Sequence, residues 1–119
     1  MIIRSGIDLV YLPLFKKSLK NGGENFLRRV YFEEELINND PTRLAGIFAA
    51  KEAVIKALSL STDSWLEILI TYKSNGSPEV QIQNSLQFGG QAKFKAQNSA
   101  LSITHQGAYT IAQFVAILE

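Results

Sequence analysis

Arg43-Leu44-Ala45-Gly46-Ile47-Phe48-Ala49-Ala50-Lys51-Glu52-Ala53-Val54-Ile55-Lys56-Ala57-Leu58 is the stretch on which the fold turns. At about 100° per residue, Leu44, Ile47, Phe48, Ile55 and Leu58 fall on one stripe, with Lys51 in its middle. The opposite face is Gly46, Ala49, Ala50, Ala53 and Ala57, small enough to let another backbone approach closely. A helix apolar on both sides reads as buried. Asn38-Asn39-Asp40-Pro41 is a loop signal ending in a helix-starting proline, so the pattern predicts a helix from Pro41 to about Leu60. Glu52 and Lys56, one turn apart, lie together at the stripe's edge.

On the N-terminal side, Ile2 to Val10 is rich in β-branched residues and reads as a buried strand carrying one acid, Asp8. Pro13 opens a helix expected to run to about Lys20 and to close at Asn21-Gly22-Gly23. Phe26 to Val30 and Glu33 to Ile37 read as two short helical turns. On the C-terminal side, Trp65 to Tyr72 and Glu79 to Gln83 are strands joined by the turn Ser74-Asn75-Gly76-Ser77-Pro78. Asn84 to Ser99 carries opposed signals: Ala92, Phe94 and Ala96 alternate like a strand, and Gly89-Gly90 would weaken a helix. Ala100 to Thr104 and Tyr109 to Leu118 are further strands around Gln106-Gly107. This order predicts an α+β fold: a largely antiparallel sheet packed with one long buried helix and shorter helices, in a single domain over residues 1–119.

Composition narrows the function. With 119 residues, 46% hydrophobic and 19% charged, the chain reads as one globular domain for which oligomerisation would hide further apolar surface. Twelve Lys+Arg against eleven Asp+Glu give a net charge of +1, which argues against nucleic acid or an anionic membrane as the main partner. Nine of the twelve basic residues lie in residues 1–60, so basic character is local. The absence of cysteine removes disulfides, thiolate metal sites and cysteine nucleophiles. Arg4 and Asp8 interrupt the apolar start before a signal-peptide core or a membrane span can form, and a cytoplasmic protein is expected. There is no GxGxxG, Walker-type or GxSxG motif.

Asp8 and Glu52 each sit in apolar surroundings, and buried acids need protons, partners or a cation. Mg²⁺ suits such a pair, because it takes one or two protein carboxylates and fills its remaining positions with water and phosphate oxygens. The alternative is that each acid pairs separately with Lys51, Arg4 or Lys56. Lys51 and Lys56 bracket Glu52 and outline a phosphate site; equally, Lys51 lays its stem over the core and Lys56 is a solvated partner of Glu52. His105, the sole histidine, either caps a phosphate or donates to a backbone carbonyl.

Three segments read together go further. Gly6-Ile7-Asp8-Leu9-Val10, the Arg43–Leu58 helix with its Phe48-Ala49-Ala50-Lys51-Glu52-Ala53 core, and Leu101-Ser102-Ile103-Thr104-His105 followed by Tyr109-Thr110-Ile111-Ala112-Gln113 resemble the holo-acyl-carrier-protein synthase family, the small 4′-phosphopantetheinyl transferases. Phe26, Arg29, Glu35-Leu36 and the turn Asn75-Gly76-Ser77-Pro78 resemble its remaining landmarks, so the similarity spans nearly the whole chain.

The resemblance implies the 4′-phosphopantetheinyl transferase fold and transfer of the phosphopantetheine arm of coenzyme A to a serine of an apo acyl carrier protein, with release of 3′,5′-ADP. It implies Mg²⁺ on Asp8 and Glu52, with Lys56 offsetting phosphate charge and Glu52, or a water on the metal, as the base for the carrier serine. It also implies coenzyme A contacts at Lys51, Lys56, Thr104 and His105, with His105 at the 3′-phosphate, and docking of an acidic carrier at Lys17 and Arg29. A homotrimer with sites between subunits is the family's usual assembly, and the small-residue helix face fits it. Departures are equally plain. Ile47 stands where the family commonly has Arg, Tyr11 replaces an acid, Leu14 a basic residue, Ser77 a lysine and Phe32 a capping Thr or Ser. Ser59-Leu60-Ser61-Thr62 lacks the glycines that approach the nucleotide. These losses keep a second reading open, a catalytically inactive homologue that binds nucleotide or carrier or serves in assembly.

Overall fold

The computed structural model describes residues 1–82, 87–88, 92–93 and 96–118. In chain order the elements are β1 (Ile2–Tyr11), α1 (Leu12–Val30), a 3₁₀ turn (Glu33–Leu36), α2 (Pro41–Leu58), a second 3₁₀ turn (Ser64–Glu67), β2 (Ile68–Tyr72), β3 (Pro78–Ile82), β4 (Gln87–Phe88), β5 (Ala92–Lys93), a third 3₁₀ turn (Ala96–Asn98), β6 (Ser99–Gln106) and β7 (Tyr109–Leu118). β7 lies between β1 and β6, antiparallel to both, with Asp8 opposite Ala112 and His105 opposite Thr110. β2 and β3 form a hairpin turned by Gly76 at φ +89°, and β4 pairs with β5. The expected α+β, largely antiparallel architecture is the one found. Of the ambiguous stretch, Gly89-Gly90 and Phe94 lie outside the described residues, as does Gln83 at the end of the expected hairpin.

α2 covers one face of the three-stranded sheet. On β7 the even-numbered residues Thr110, Ala112, Phe114, Ala116 and Leu118 are buried beneath it, and the odd-numbered ones face outward. The helix starts where expected: Pro41 occupies the first turn and the Asp40 carboxylate accepts from the Arg43 N–H at 3.3 Å. It ends at Leu58, two residues short of the expected end, because Ser59 turns left-handed at φ +54° and Leu60 N–H closes onto the Ile55 carbonyl at 3.0 Å. The close backbone approach expected of its small-residue face is made within the chain. A Cβ at Gly6 would collide with the Ala53 carbonyl oxygen and lie 2.9 Å from the Ala57 nitrogen. The small face is therefore spent on the chain's own sheet, a correction to its assignment to a subunit contact.

Two further expectations meet different outcomes. Gly22-Gly23 closes the first helical segment as expected: Gly23 takes the non-helical φ +52°, ψ −138°, and α1 continues beyond this kink as a second helical segment ending at Val30. Aromatic packing holds both halves in place, with Phe15, Phe26 and Phe48 ring centroids 5.7–6.1 Å apart. Trp65 lies in a 3₁₀ turn rather than at the start of a strand, its carbonyl accepting from Lys51 Nζ at 3.2 Å. Among the described residues no helix is long and apolar enough to cross a membrane.

Gly6→Ala forces a methyl group into helix backbone, and overpacking of that kind costs about 1–3 kcal/mol or more. A clearly lowered thermal midpoint is expected; a midpoint equal to that of the parent chain would show that β1 and α2 are free to separate.

Candidate active site

Asp8 projects from β1 on the face that α2 covers, and its side chain is 14% exposed. Lys56, near the C-terminal end of α2, donates from Nζ to Asp8 Oδ1 and to the Ile7 carbonyl, both at 3.0 Å. Glu52, one turn earlier, is half-buried on the same side, close enough to Asp8 for the two carboxylates to repel. Burial pushes the Asp8 carboxyl above its ordinary range, opposed by Lys56. Burial, then repulsion from Asp8, pushes Glu52 up as well. Three of the expected residues thus meet at one place, and the strain between the two acids is of a kind a cation relieves. Among the described residues no three His, Cys, Asp or Glu side chains cluster. Two carboxylates fit a hard ion such as Mg²⁺ that completes its shell with water and phosphate oxygens.

Lys51 is elsewhere. It is completely buried and donates to Glu35 Oε1 at 2.7 Å, the Val30 carbonyl at 2.6 Å and the Trp65 carbonyl at 3.2 Å. All three ammonium hydrogens are committed inside the core. The assignment of Lys51 to coenzyme A phosphates is corrected accordingly: one step along an α-helix turns the side chain by about 100°, so Lys51 and Glu52 diverge.

His105 and Thr104 belong to a second locus. His105, at the end of β6, faces α2 at Gly46, where a Cβ would lie 3.3 Å from the imidazole Cε1, and its Nδ1 is 2.8 Å from Thr110 Oγ1. Thr104 lies exposed on the outward face of the sheet. His105 lines a cleft of about 420 Å³ with Arg43, Gly46, Tyr72, Pro78 and Ile103. Gly46 and Glu52 are six residues apart on α2, about 9 Å along its axis. Within one chain, the His105 cleft and the carboxylate pair are thus set apart along the helix. Lys17 and Arg29 are both exposed on α1, and the Arg29 guanidinium stands 5.8 Å over the Trp65 ring.

The cleft contains a cation that the sequence reading did not single out. Ile47 is fully buried core, whereas Arg43, one turn earlier, turns its guanidinium toward the cleft, 5.4 Å over the Tyr72 ring. Its Nη1 donates to the Glu35 carbonyl at 2.6 Å and to the Asn38 carbonyl at 2.9 Å. Among the described residues no carboxylate side chain forms an ion pair with it. Asp40, also at the cleft, is engaged in capping α2.

Comparison with known proteins fits this geometry. Residues 4–113 match the model of the 4′-phosphopantetheinyl transferase superfamily. The chain is 36% identical over 122 residues to the holo-[acyl-carrier-protein] synthase of Caldicellulosiruptor saccharolyticus, covering 98% of this chain and 97% of the relative. It is 33% identical over 116 residues to that of Nitratiruptor sp., covering 94% and 97%. The Helicobacter pylori holo-[acyl-carrier-protein] synthase in complex with coenzyme A superposes with a TM-score of 0.75 at 25% identity, over 97% of this chain and 99% of that one. The chain belongs to the holo-[acyl-carrier-protein] synthase family. A Chronobacterium ammoniagenes ACPS–coenzyme A complex superposes with a TM-score of 0.79, also at 25% identity, over 100% of this chain and 99% of that one. The fold is that of the 4′-phosphopantetheinyl transferases. Against that family, Glu35 was visible as a landmark but not as the partner of Lys51, since Glu33 and Glu34 beside it carry the same charge and are exposed. Arg43 and Tyr72 had no signal beyond a basic residue in the first helical turn and an aromatic residue at a strand end.

The raised carboxyls have a measurable consequence. The folded chain holds the Asp8 and Glu52 protons more tightly than the unfolded chain does. Their protonation therefore stabilises the fold below the ordinary carboxylate range near pH 4, and that stabilisation is lost as pH rises through the raised values. Glu52→Gln should melt higher than the parent chain at pH 7.5 in metal-free buffer, with the difference shrinking towards about pH 4. A difference that does not depend on pH would show that the two acids are not in conflict.

Proposed function

We propose that this chain transfers the 4′-phosphopantetheine group of coenzyme A to a serine of an apo acyl carrier protein, releasing 3′,5′-ADP, with Mg²⁺ held by Asp8 and Glu52. The observation that carries the reading is the meeting of two strained carboxylates and the Lys56 ammonium at the crossing of β1 and α2. The named synthases among the relatives and the coenzyme A complexes among the similar structures support it.

In the transfer the serine oxygen attacks the pantetheine-side phosphorus of the diphosphate. A new P–O bond forms, the bond to the bridging oxygen breaks, and its electron pair leaves with 3′,5′-ADP. Bound Mg²⁺ would supply positive charge against the diphosphate oxygens. Lys56 adds a mobile ammonium at the same place, where negative charge grows on the leaving group. The Glu52 carboxylate, or a water held beside it, would take the proton of the serine hydroxyl. Arg43 and His105 are suited to the 3′-phosphate, with Arg43 taking over one helical turn earlier from the arginine that Ile47 displaces. Lys17 and Arg29 on α1 offer positive charge to an acidic carrier.

The outward sheet face supports assembly. Ile3, Ile7, Leu9, Tyr11, Tyr109 and Ile117 are all at least one-third exposed and stand on one side of β1 and β7. A run of this kind on a small chain is what a subunit interface covers. A homotrimer would bring the Thr104–His105 end of one chain to the Asp8–Glu52 pair of its neighbour, joining the two loci into one coenzyme A site. A cytoplasmic location, where coenzyme A and carrier proteins meet, goes with this reading.

Intact-protein mass spectrometry of a panel of apo carriers with coenzyme A, Mg²⁺ and this chain should show a chelator-sensitive gain of one phosphopantetheine. No gain on any carrier that a known transferase modifies would leave the inactive-homologue reading in its place. Arg43→Ala should raise KM for coenzyme A roughly ten-fold or more, the scale of a lost charge-assisted hydrogen bond, and leave KM for 3′-dephospho-coenzyme A nearly unchanged. Equal effects on both substrates would remove Arg43 from the 3′-phosphate.

A further inference from the structure

Trp65 is the only tryptophan, and its indole Nε1 is buried with no hydrogen-bond partner among the described residues. A buried donor without a partner calls for an explanation. The residue is not loosely held. Its carbonyl accepts from Lys51 Nζ at 3.2 Å, its ring lies against Phe48 with centroids 6.2 Å apart, and the Arg29 guanidinium covers it at 5.8 Å. Phe48 and Glu52 are one turn apart on α2 and share a face, so an indole packed on Phe48 lies alongside the Glu52 carboxyl.

We propose that Trp65 is a positioning residue whose indole N–H supports one oxygen of the Glu52 carboxylate and so turns its remaining lone pairs toward Asp8. The proposal rests on the reading of Glu52 as part of the reacting site. It gives the buried donor an acceptor, and it explains why the segment after α2 makes a 3₁₀ turn at Trp65: the turn sets the carbonyl on Lys51 and the indole on the face of Glu52. Trp65 thereby links the core to the site, with its backbone anchored by one residue of α2 and its side chain set against the next. Groups that orient metal-binding carboxylates commonly change metal affinity or activity ten- to hundred-fold when removed.

The sole indole N–H gives one ¹H–¹⁵N cross-peak, so its environment can be read without metal or substrate. Glu52→Gln, which exchanges a charged acceptor for a neutral one of the same shape, should move that peak upfield in the proton dimension. Trp65→Phe, which keeps a ring but loses the N–H, should weaken Mg²⁺ binding measured calorimetrically in the presence of coenzyme A by about ten-fold, lower kcat, and leave KM for the carrier unchanged. An indole peak indifferent to Glu52→Gln overturns the proposal, whether or not Trp65→Phe folds. So does a moved peak accompanied by Mg²⁺ affinity within two-fold of the parent chain's. If the parent chain itself binds no Mg²⁺, the metal assignment fails separately, and the cross-peak together with the kcat of Trp65→Phe still decides the role of Trp65.

Discussion

The buried pair of Lys51 and Glu35 is the interaction on which the rest of this structure depends. Both side chains are fully excluded from solvent, their charged atoms are 2.7 Å apart, and each makes further bonds. Lys51 takes the Val30 carbonyl at the end of α1 and the Trp65 carbonyl after α2. Glu35 takes the backbone N–H of Phe32 at 2.8 Å and of Ile70 in β2 at 2.9 Å. One ion pair thus fastens two stretches distant in sequence, Val30–Glu35 and Trp65–Ile70, to the middle of the long helix. Burial pushes the Lys51 pKa below its ordinary value, and the Glu35 carboxylate opposes that shift. Removing one member of such a pair typically costs about 3–5 kcal/mol, whereas an apolar replacement of both is often tolerated. What an apolar replacement would not reproduce is direction: three carbonyl or carboxylate acceptors and two backbone donors are all satisfied by two side chains.

That direction matters because the next residue is Glu52. The helix that buries Lys51 on one side presents Glu52 to Asp8 and Lys56 on another, so the position of the Glu52 carboxylate is set by the anchoring of its neighbour. Gly6 completes the arrangement. Without a side chain at that position, β1 presses against the Ala53 backbone, which brings Asp8, two residues on, level with Glu52 and Lys56. A core ion pair, a glycine contact and a capped helix start together fix a site whose own residues repel one another.

Much of this was readable before any coordinates. The strand with Asp8, the helix with Glu52 and Lys56, the β2–β3 hairpin and the antiparallel sheet follow from periodicity, and a charged residue in an apolar segment is a strong signal for a site. The same signal misled at Lys51, because a cation on an apolar stripe looks alike whether it meets a phosphate or a buried carboxylate. The choice was decided by Glu35, which sits in a run of three glutamates that the pattern cannot tell apart. The 3₁₀ turn at Trp65 was out of reach for a related reason. Local preference extends a strand through Trp-Leu-Glu-Ile, but the Lys51 ammonium, which takes the Trp65 carbonyl, outweighs it.

The departures from the family pattern take on a different meaning once placed in the fold. Ile47 is at the centre of the core, so an arginine lost there is exchanged for packing, and the cation on that side of α2 is Arg43, held by two carbonyls and a tyrosine ring. A guanidinium fixed in this way has already given up rotamer freedom, so an anion that docks against it finds an ordered partner. Tyr11 and Leu14 are exposed beside the groove that runs from Asp8, where the family pattern places charge. The two carboxylates and Lys56 are untouched by any of these changes. On the proposed assignment, the divergence lies in how the ends of the substrates are held, at the His105 cleft and along α1, while the carboxylate pair and Lys56 retain all three charged groups.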